Sequence, residues 1–354
     1  MRNKRPACLA LLACVLVGVV LRRETARGIK PHALSPYRTA STGHGLSGYI
    51  AELVGHSQRD IRLKEKDTGW LKEQDNGGKR RGGQKLRAAD IMIAVRTSRK
   101  FHQSRLALLL ATWIPRARVQ TIVFTDGEDK ELEKTSGITM VQTHCPPVHS
   151  SQALTCKLAS EYRTFLHSGR RWFCHVDDDN YVNPRALSDL LARYRSSEEL
   201  YLGRASLDHP IEATERIGNK TRSVNFWFAT GGAGFCLSRA LAVRMLPWVG
   251  GAALAGASER IRLPDDCTLG YIVQRWLHVA LTPCPLFHSH LENLALIPAS
   301  RLSAQVTLSY GVIDNRTNVV NLRGPFSISE DPSRFHSLHC LLFPDTSWCP
   351  RQVH

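Results

Sequence analysis

The sequence lacks a long hydrophobic run at its N-terminus. Apolar or small residues extend there only from residue 7 to residue 21, whereas a plasma-membrane span needs about 20 residues. A clear small-x-small cleavage site is also missing, and three basic residues precede the run. We therefore predict a cytoplasmic tail over residues 1–6 and an uncleaved signal anchor over residues 7–21, of a length that suits thinner membranes of the early secretory pathway. A cleaved signal peptide is the alternative that so short a run leaves open.

Acidic residues are scarce. The chain has 31 Asp and Glu against 47 Lys and Arg, which gives a net charge of +16. Such a charge is typical of nucleic-acid-binding proteins, but its distribution argues against that class. Residues 1–85 contain 17 basic and 7 acidic side chains, so an excess of +10 precedes the part with apolar patterning. We therefore expect no nucleic-acid partner.

Residues 22–87 have little apolar periodicity. They are polar and become rich in glycine and basic residues around Lys79, Arg80 and Arg81. This composition is typical of a flexible linker, and we predict a luminal stem. The basic cluster has two open interpretations: a processing site that releases a secreted fraction, or an exposed basic linker.

Ten cysteines are present, and eight of them lie outside the N-terminal run. In an exported chain that number predicts disulfides, although eight cysteines allow 105 pairings. Cys145 and Cys156 flank a Pro-Pro turn, and Cys340 and Cys349 flank a proline-containing C-terminal loop. We expect these two local pairs.

Two glycosylation sequons begin at Asn219 and Asn315. Such triplets also arise by chance, and they have meaning only in a secretory compartment. They add weak support to the prediction that the part of the chain after the anchor is luminal.

From residue 88 onward, short apolar runs alternate with helical stretches. Strands are predicted at residues 91–95, 121–124, 138–143 and 172–176. Helical stripes follow three of these strands, one of them after the Asn183-Pro184 pair, which is typical of a helix start. This rhythm predicts one α/β domain over residues 88–354, with a mainly parallel sheet flanked by helices. In such sheets, ligands bind beyond the carboxyl ends of the strands.

An acidic triplet, Asp177-Asp178-Asp179, directly follows the fourth predicted strand. If the strand stays extended, Asp177 and Asp179 point one way and Asp178 the other. Three adjacent carboxylates repel one another unless a cation or hydrogen-bond donors compensate them. Mg²⁺ or Mn²⁺ is the natural compensation, and such a cation could also neutralise a diphosphate leaving group. The alternative is an exposed acidic turn that caps the next helix.

Six stretches resemble the fringe family of glycosyltransferases and occur in the same order across residues 88–350. They are RKFH at 99–102, FTDGED at 124–129, WFCHVDDDNYV at 172–182, FWFATGGAGFC at 226–236, LPDDCT at 263–268 and LFHSHLEN at 286–293. The resemblance implies a GT-A fold, a Golgi location and dependence on Mn²⁺. It also implies an inverting transfer of N-acetylglucosamine from UDP-GlcNAc, in β1,3 linkage, to O-linked fucose on EGF repeats of Notch receptors, which modulates signalling by Notch ligands.

The resemblance also assigns a metal site and a donor contact. It implies that Asp179 binds Mn²⁺, that Asp178 contacts the nucleotide sugar, and that His290 is a second metal ligand. From the sequence alone His288 competes with His290, because the two share a strand face, and either is equally compatible with a hydrogen-bonded structural role.

The resemblance makes Asp266 the general base that deprotonates the acceptor hydroxyl. A carboxylate suits that role, although a Pro-Asp-Asp turn is also a common helix N-cap. We expect Asp265 to take the capping role and leave Asp266 unengaged. Arg105 matches a donor-binding position of the family, where an arginine fork suits uracil or diphosphate oxygens; a solvated helix arginine is the alternative.

Two further expectations concern the segment around residues 231–234. Its glycines permit close approach of the backbone to a sugar, or else form a packing bend. The resemblance implies that Cys174 pairs with Cys236, which would tie the strand before the triplet to this segment. Cys267 and Cys284 are then the two cysteines left without an assigned partner, and a bond between them is a guess.

Two alternative functions stay open at this point. Another Golgi β1,3-glycosyltransferase, with a different sugar or acceptor, would share the anchor, the stem and the triplet. A catalytically silent glycan-binding homologue would keep the fold without turnover, but the joint presence of Asp178, Asp179, Asp266 and His290 argues against it.

Overall fold

The structure is a computed structural model that describes residues 86–250, 252–313 and 315–350. The predicted tail (1–6), the predicted anchor (7–21) and nearly all of the predicted stem lie outside these residues, so their assignments stay predictions. Within the described ranges, no helix has the length and apolar character to cross a membrane.

Thirteen strands are present in the described residues. They are β1 Ile91–Arg96, β2 Thr121–Thr125, β3 Thr139–Gln142, β4 Trp172–Asp177, β5 Asn180–Val182, β6 Tyr201–Gly203, β7 Ile211–Ile217, β8 Lys220–Phe226, β9 Phe235–Ser238, β10 Leu281–Pro283, β11 Thr307–Ser309, β12 Gly311–Ile313 and β13 Arg316–Asn318. Seven of them form the central sheet, in the order β10-β6-β9-β4-β1-β2-β3. All neighbours in it are parallel except β9, which runs antiparallel to β4 and β6. The predicted mainly parallel sheet is confirmed.

The α-helices are α1 Ala107–Ala111, α2 Lys130–Ser136, α3 Ser151–His167, α4 Pro184–Leu191, α5 Arg239–Arg244, α6 Leu246–Val249, α7 Ala253–Ile261, α8 Asp265–Tyr271 and α9 Phe335–Leu342. Two segments have π-helical geometry, His102–Leu106 and Ile272–Trp276. Short 3₁₀ turns occur at Ala88–Asp90, Arg99–Phe101, Ile114–Ala117, Gly231–Ala233, Leu294–Leu296 and Ala299–Ala304.

The central sheet is buried on both faces. Every residue of β1 is buried, and its alternate side chains enter two separate apolar clusters. Met92 and Ala94 pack with residues of α3, α7 and α8, whereas Ile91 and Ile93 pack with residues of α1, α4 and α9. Helices on both faces explain why β1 is a continuous hydrophobic run rather than an alternating one. The fold class expected from the GT-A resemblance, an α/β sheet flanked by helices, is confirmed.

Three disulfides are present in the described residues, in the expected pairs Cys145–Cys156, Cys174–Cys236 and Cys340–Cys349. The guess of a bond between Cys267 and Cys284 is wrong. Cys267 packs in the cluster that contains α3, and Cys284 packs in the cluster on the opposite face of the sheet. The central sheet separates the two sulfurs.

The Cys174–Cys236 bond is expected to contribute most to stability among these three. It closes a loop of 62 residues, whereas Cys340–Cys349 closes one of 9, and the entropy that a cross-link removes from the unfolded chain grows with loop length. Replacing both Cys174 and Cys236 by alanine should lower the free energy of unfolding by about 2–4 kcal/mol in denaturant titrations. The matched double replacement of Cys340 and Cys349 should cost less, and an equal or larger cost would contradict this prediction.

Candidate active site

The candidate site lies at the carboxyl ends of β1 and β4. These strands are parallel neighbours, and their register places Arg96 beside Asp177. Thr97 follows β1 directly, and the other two aspartates follow β4. The predicted location of the acidic triplet, at the edge of the sheet where ligands bind, is therefore the observed one.

The expected alternation of the three carboxylates is wrong beyond Asp177. The strand ends there, and Asp178 and Asp179 lie in the turn that leads to β5, so strand geometry does not direct them. The helix-cap alternative is also wrong, because the Asn183 side chain accepts the N–H groups at the start of α4. Each carboxylate of the triplet instead has its own partners.

Asp178 is held by two donors. Thr97 Oγ1 donates to one carboxylate oxygen at 2.7 Å, and Arg105 Nη1 donates to the other at 3.0 Å. Burial raises the pKa of Asp178 to about 6, although Thr97 and Arg105 both favour its charged form. The Arg105 side chain stays 39% exposed and lies over the Phe101 ring, so it remains accessible from the cleft.

Asp179 lies beside His290. The His290 Nδ1 and Asp179 Oδ2 atoms are 3.1 Å apart, and this contact raises the pKa of the imidazole. Their alignment does not make a hydrogen bond, so His290 Nδ1 and also Asp179 Oδ1 are buried without a hydrogen-bond partner among the described residues. The backbone of β12 passes close to this histidine, since a methyl group at Gly311 would lie 2.8 Å from His290 Cβ.

His288 has a structural role instead. Its Nε2 lies 2.8 Å from Gln305 Oε1, and its Nδ1 lies 3.2 Å from a Glu292 oxygen. Only 6% of its surface is exposed, and it does not line the cleft that contains His290. The Nδ1 atoms of both histidines are buried without a hydrogen-bond partner among the described residues, so the two differ only in the Gln305 contact of His288 and in the place of His290 on the cleft.

Asp266 is partly exposed at the start of α8. Its two oxygens accept the Gly231 N–H at 3.0 Å and the Cys267 N–H at 2.8 Å. Burial of the carboxyl, together with the negative charge of Asp265, raises its pKa to about 6. A carboxylate that is fixed by two backbone donors and has a raised pKa suits a general base that works near neutral pH. The role of this residue stays a prediction.

The capping role expected for Asp265 is wrong. Pro264 occupies the N-cap position of α8, and no side chain caps that helix end. Asp265 is buried and forms an ion pair with Arg96. A buried cation on β1 therefore outweighs the usual preference of aspartate for a helix cap.

The Gly-rich turn after β8 packs too tightly for a side chain at Gly234, whereas a Cβ at Gly231 or Gly232 would make ordinary van der Waals contact. Gly234 has φ +82°, and a Cβ there would lie 2.9 Å from the His175 carbonyl oxygen, so the packing interpretation holds for this glycine. Gly231 instead presents its N–H to Asp266, and Asn180 Nδ2 donates to the Gly232 carbonyl at 3.0 Å. The turn thereby connects the candidate base with the segment that follows the triplet.

A cleft of about 340 Å³ brings together Arg105, the three aspartates of the triplet and His290. Its walls include Arg96, Thr97, Ser98, Lys100, Phe101, Arg105, Lys157, Asp177, Asp178, Asp179 and His290. The lining combines basic side chains with carboxylates and an imidazole, and Arg105 and Arg96 are each paired with an aspartate of the triplet. This composition suits an anionic ligand bound together with a divalent cation.

The family profile and the curated relatives agree on one family. A profile of the fringe-like family matches residues 86–346. Lunatic fringe of Bos taurus, a β-1,3-N-acetylglucosaminyltransferase, is 53% identical over 331 residues, which cover 93% of this chain and 86% of the relative. The human lunatic fringe is 52% identical over 92% of this chain and 85% of its own, and human manic fringe is 57% identical over 76% and 84%. The chain belongs to the fringe family.

The matched region of this fringe-family chain contains the whole candidate site and begins after the predicted anchor. Among solved structures, mannose-1-phosphate geranyltransferase from Thermus thermophilus aligns over 55% of this chain and 68% of its own, with 12% identity and a TM-score of 0.29. That likeness is too weak to support any conclusion on fold or function.

Sequence reasoning missed Lys157, a buried residue of α3 that supports the cleft of this fringe-family chain. Its ammonium donates to the Thr97 carbonyl, to Ser98 Oγ and to Asp126 Oδ2 at 2.7–2.9 Å. The lysine thus holds the segment after β1 whose threonine contacts Asp178. The available signal was the position of Lys157 beside Leu158 and one turn before Glu161 and Tyr162, on the face of α3 that was predicted to be buried, where a charge is costly unless it is paired.

Proposed function

We propose that the chain catalyses the inverting transfer of N-acetylglucosamine from UDP-GlcNAc, in β1,3 linkage, to O-linked fucose on EGF repeats of Notch receptors, and so modulates Notch-ligand signalling. Membership of the fringe family and the β-1,3-N-acetylglucosaminyltransferase activity of its lunatic and manic relatives support the reaction. The observation that carries the proposal is the single cleft in which Arg105, Asp178, Asp179 and His290 meet.

Two basic residues of the cleft, Lys100 and Arg105, suit the nucleotide diphosphate of the donor. Arg105 already donates to Asp178 through one nitrogen, and its side chain is 39% exposed, which leaves further N–H groups accessible to a second oxyanion. Lys100 lines the same cleft and adds a positive point charge. In this proposal Arg105 and Asp178 bind the donor together.

The pair formed by Asp179 and His290 suits a divalent cation. Asp179 Oδ1 and His290 Nδ1 are buried polar atoms with no hydrogen-bond partner in the described part of the chain. Mg²⁺ and Mn²⁺ are usually held by one or two protein ligands plus substrate phosphates, so an aspartate beside a histidine is a sufficient protein contribution. We propose that Asp179 and His290 hold Mn²⁺, which when bound would neutralise charge on the departing diphosphate.

Inversion requires one displacement at the anomeric carbon. The acceptor 3-hydroxyl oxygen attacks that carbon while the bond to the UDP oxygen breaks and UDP leaves with the electron pair. Asp266 accepts the hydroxyl proton, and the Gly231 and Cys267 N–H groups keep its carboxylate oriented. A raised pKa makes the carboxylate a stronger base than an exposed aspartate.

We also propose a type II location in the Golgi membrane, with the catalytic domain luminal. The three disulfides and the exposed positions of Asn219 and Asn315 in hairpin turns support a luminal domain, because oxidation and glycosylation both occur there. Release by cleavage near Lys79–Arg81 would give a secreted fraction.

A panel of donors and acceptors tests the proposed function. Purified residues 86–354 are expected to transfer sugar from UDP-GlcNAc to a fucosylated EGF repeat, with the new linkage determined by mass spectrometry and NMR. An unfucosylated repeat should give no product, because the accepting hydroxyl is absent. Preferred transfer of another sugar, or binding of the acceptor without any turnover, would contradict the proposal in favour of a different β1,3-transferase or a silent homologue.

A further inference from the structure

Arg96 is an almost fully buried arginine beneath the candidate site. Its side chain is 9% exposed and joins two aspartates from distant parts of the chain. Nε and Nη2 both approach Asp177 Oδ1 at 2.9 Å, while Nη1 donates to Asp265 Oδ2. The guanidinium therefore joins the end of β4 to the start of α8.

Both partners of Arg96 adjoin residues of the proposed reaction. Asp177 is the first member of the acidic triplet, and Asp265 precedes the candidate base Asp266. The α8 start has no capping side chain, and the ion pair between Asp265 and Arg96 joins it to β1 of the central sheet. A shift of this helix end would move Asp266 away from the Gly231 N–H that orients it.

Further buried charges surround Asp177 on the other side. His175 Nδ1 lies 2.7 Å from Glu161 Oε2, and its Nε2 lies 3.6 Å from Asp177 Oδ1. The Glu161 charge raises the pKa of His175 to about 9, against the effect of burial, so the ring is an imidazolium near neutral pH. Buried ion pairs are weak evidence for stability, because desolvation offsets their attraction. Their place under the site points to a role in the reaction.

We propose that Arg96 is a positioning residue for the transfer, because it holds Asp177 and Asp265 in one arrangement and so fixes Asp266 relative to the triplet. The inference rests on the proposed function, in which Asp266 is the base. Arg96 does not touch the acceptor in this view, and it acts through Asp265.

The charges around Asp266 make the proposal testable through the pH dependence of activity. The groups that face this carboxyl are Asp265 and Cys267 on its own helix, Arg96 from β1, Tyr201 from β6 and the Gly231 amide. The negative charge of Asp265 raises the pKa of Asp266, and the positive charge of Arg96 lowers it. The two members of one ion pair therefore act in opposite directions on the candidate base.

The experiment compares the full chain with Asp265→Asn, Arg96→Met and the double variant. Each single change should lower kcat about tenfold or more, because a displaced base is a poor one, while the KM for the donor changes less. The losses should not add in the double variant, since both changes break the same contact. Additive losses would overturn the proposal.

The pH profile separates positioning from general loss of structure. A carboxylate base loses activity as pH falls through its pKa, so the acidic limb of kcat/KM should move to lower pH by about 1 unit in Asp265→Asn and to higher pH in Arg96→Met. Arg96→Lys keeps the charge and should retain the wild-type limb. A shift of the acidic limb in the same direction in Asp265→Asn and in Arg96→Met would overturn the proposal.

Arg170→Met is the matched control. Arg170 donates to three backbone carbonyls at the opposite end of the sheet, so its loss should lower the unfolding temperature and leave the pH profile unchanged. Titration of ¹³C-labelled aspartate, with the Asp266 signal assigned by its absence in Asp266→Asn, follows the same pKa shifts without any turnover. If no donor and acceptor react, the proposed function fails, whereas unchanged Asp266 titration in Asp265→Asn would overturn the role of Arg96.

Discussion

Asparagine in place of Asp266 is expected to lower kcat for N-acetylglucosamine transfer by about 10²–10⁴-fold, the usual contribution of a general base. The replacement has the same shape, and its carbonyl oxygen can still accept the Gly231 N–H that Asp266 accepts at 3.0 Å. The amide cannot take up the acceptor proton. The measurement is steady-state transfer to a fucosylated EGF repeat, together with the thermal unfolding temperature.

The pH dependence of the unmodified enzyme provides a second measurement on the same residue. Burial and the Asp265 charge raise the pKa of Asp266 to about 6, so kcat should fall as pH decreases through about 6, where the base becomes protonated. Burial also raises the pKa of the donor contact Asp178 to about 6, so the contribution of Asp266 is the difference between the acidic limbs of the unmodified enzyme and of Asp266→Asn at saturating donor. A well-folded variant that turns over at the normal rate, or that has the same limb as the unmodified enzyme, would remove the base assignment.

The general plan of the fold could be predicted because it depends on local patterns. The apolar run of β1 and the triplet after β4 show buried strands and their polar ends, and each observed bound of these two strands lies within one residue of the predicted one. The site follows from the rule that parallel strands end at a common edge. Asp178 and Asp179 depart from the expected alternation because the chain turns directly after Asp177.

The remaining features depend on contacts between residues that are far apart in the chain. Asp265 pairs with Arg96, 169 residues away, and no local pattern distinguishes this from a helix cap. Cys267 and Cys284 are close in the sequence, but the sheet separates them. In each case burial determined which residues could meet. The face of the sheet on which a residue is buried depends on the whole fold and not on the local sequence.

Loss of the Asp179 carboxylate is expected to be the second large effect. Asp179→Ala removes one of the two proposed protein ligands of Mn²⁺ and should lower transfer by about 100-fold, because the cation would otherwise supply several kcal/mol of charge stabilisation at the diphosphate. His290→Ala should act in the same direction. Mn²⁺ binding in the presence of UDP, followed by electron paramagnetic resonance, measures the effect without turnover.

His288→Ala is the matched control for His290→Ala. Both histidines lie in the same short segment, but His288 contacts Gln305 and Glu292 instead of the cleft, so its loss should lower stability and leave Mn²⁺ affinity unchanged. Equal Mn²⁺ affinity in the two variants would argue against His290 as a ligand. Transfer by Asp179→Ala at the normal rate in the presence of a chelator would refute the metal role altogether, since that role rests on the adjacent Asp179 carboxylate and His290 imidazole, 3.1 Å apart in the cleft.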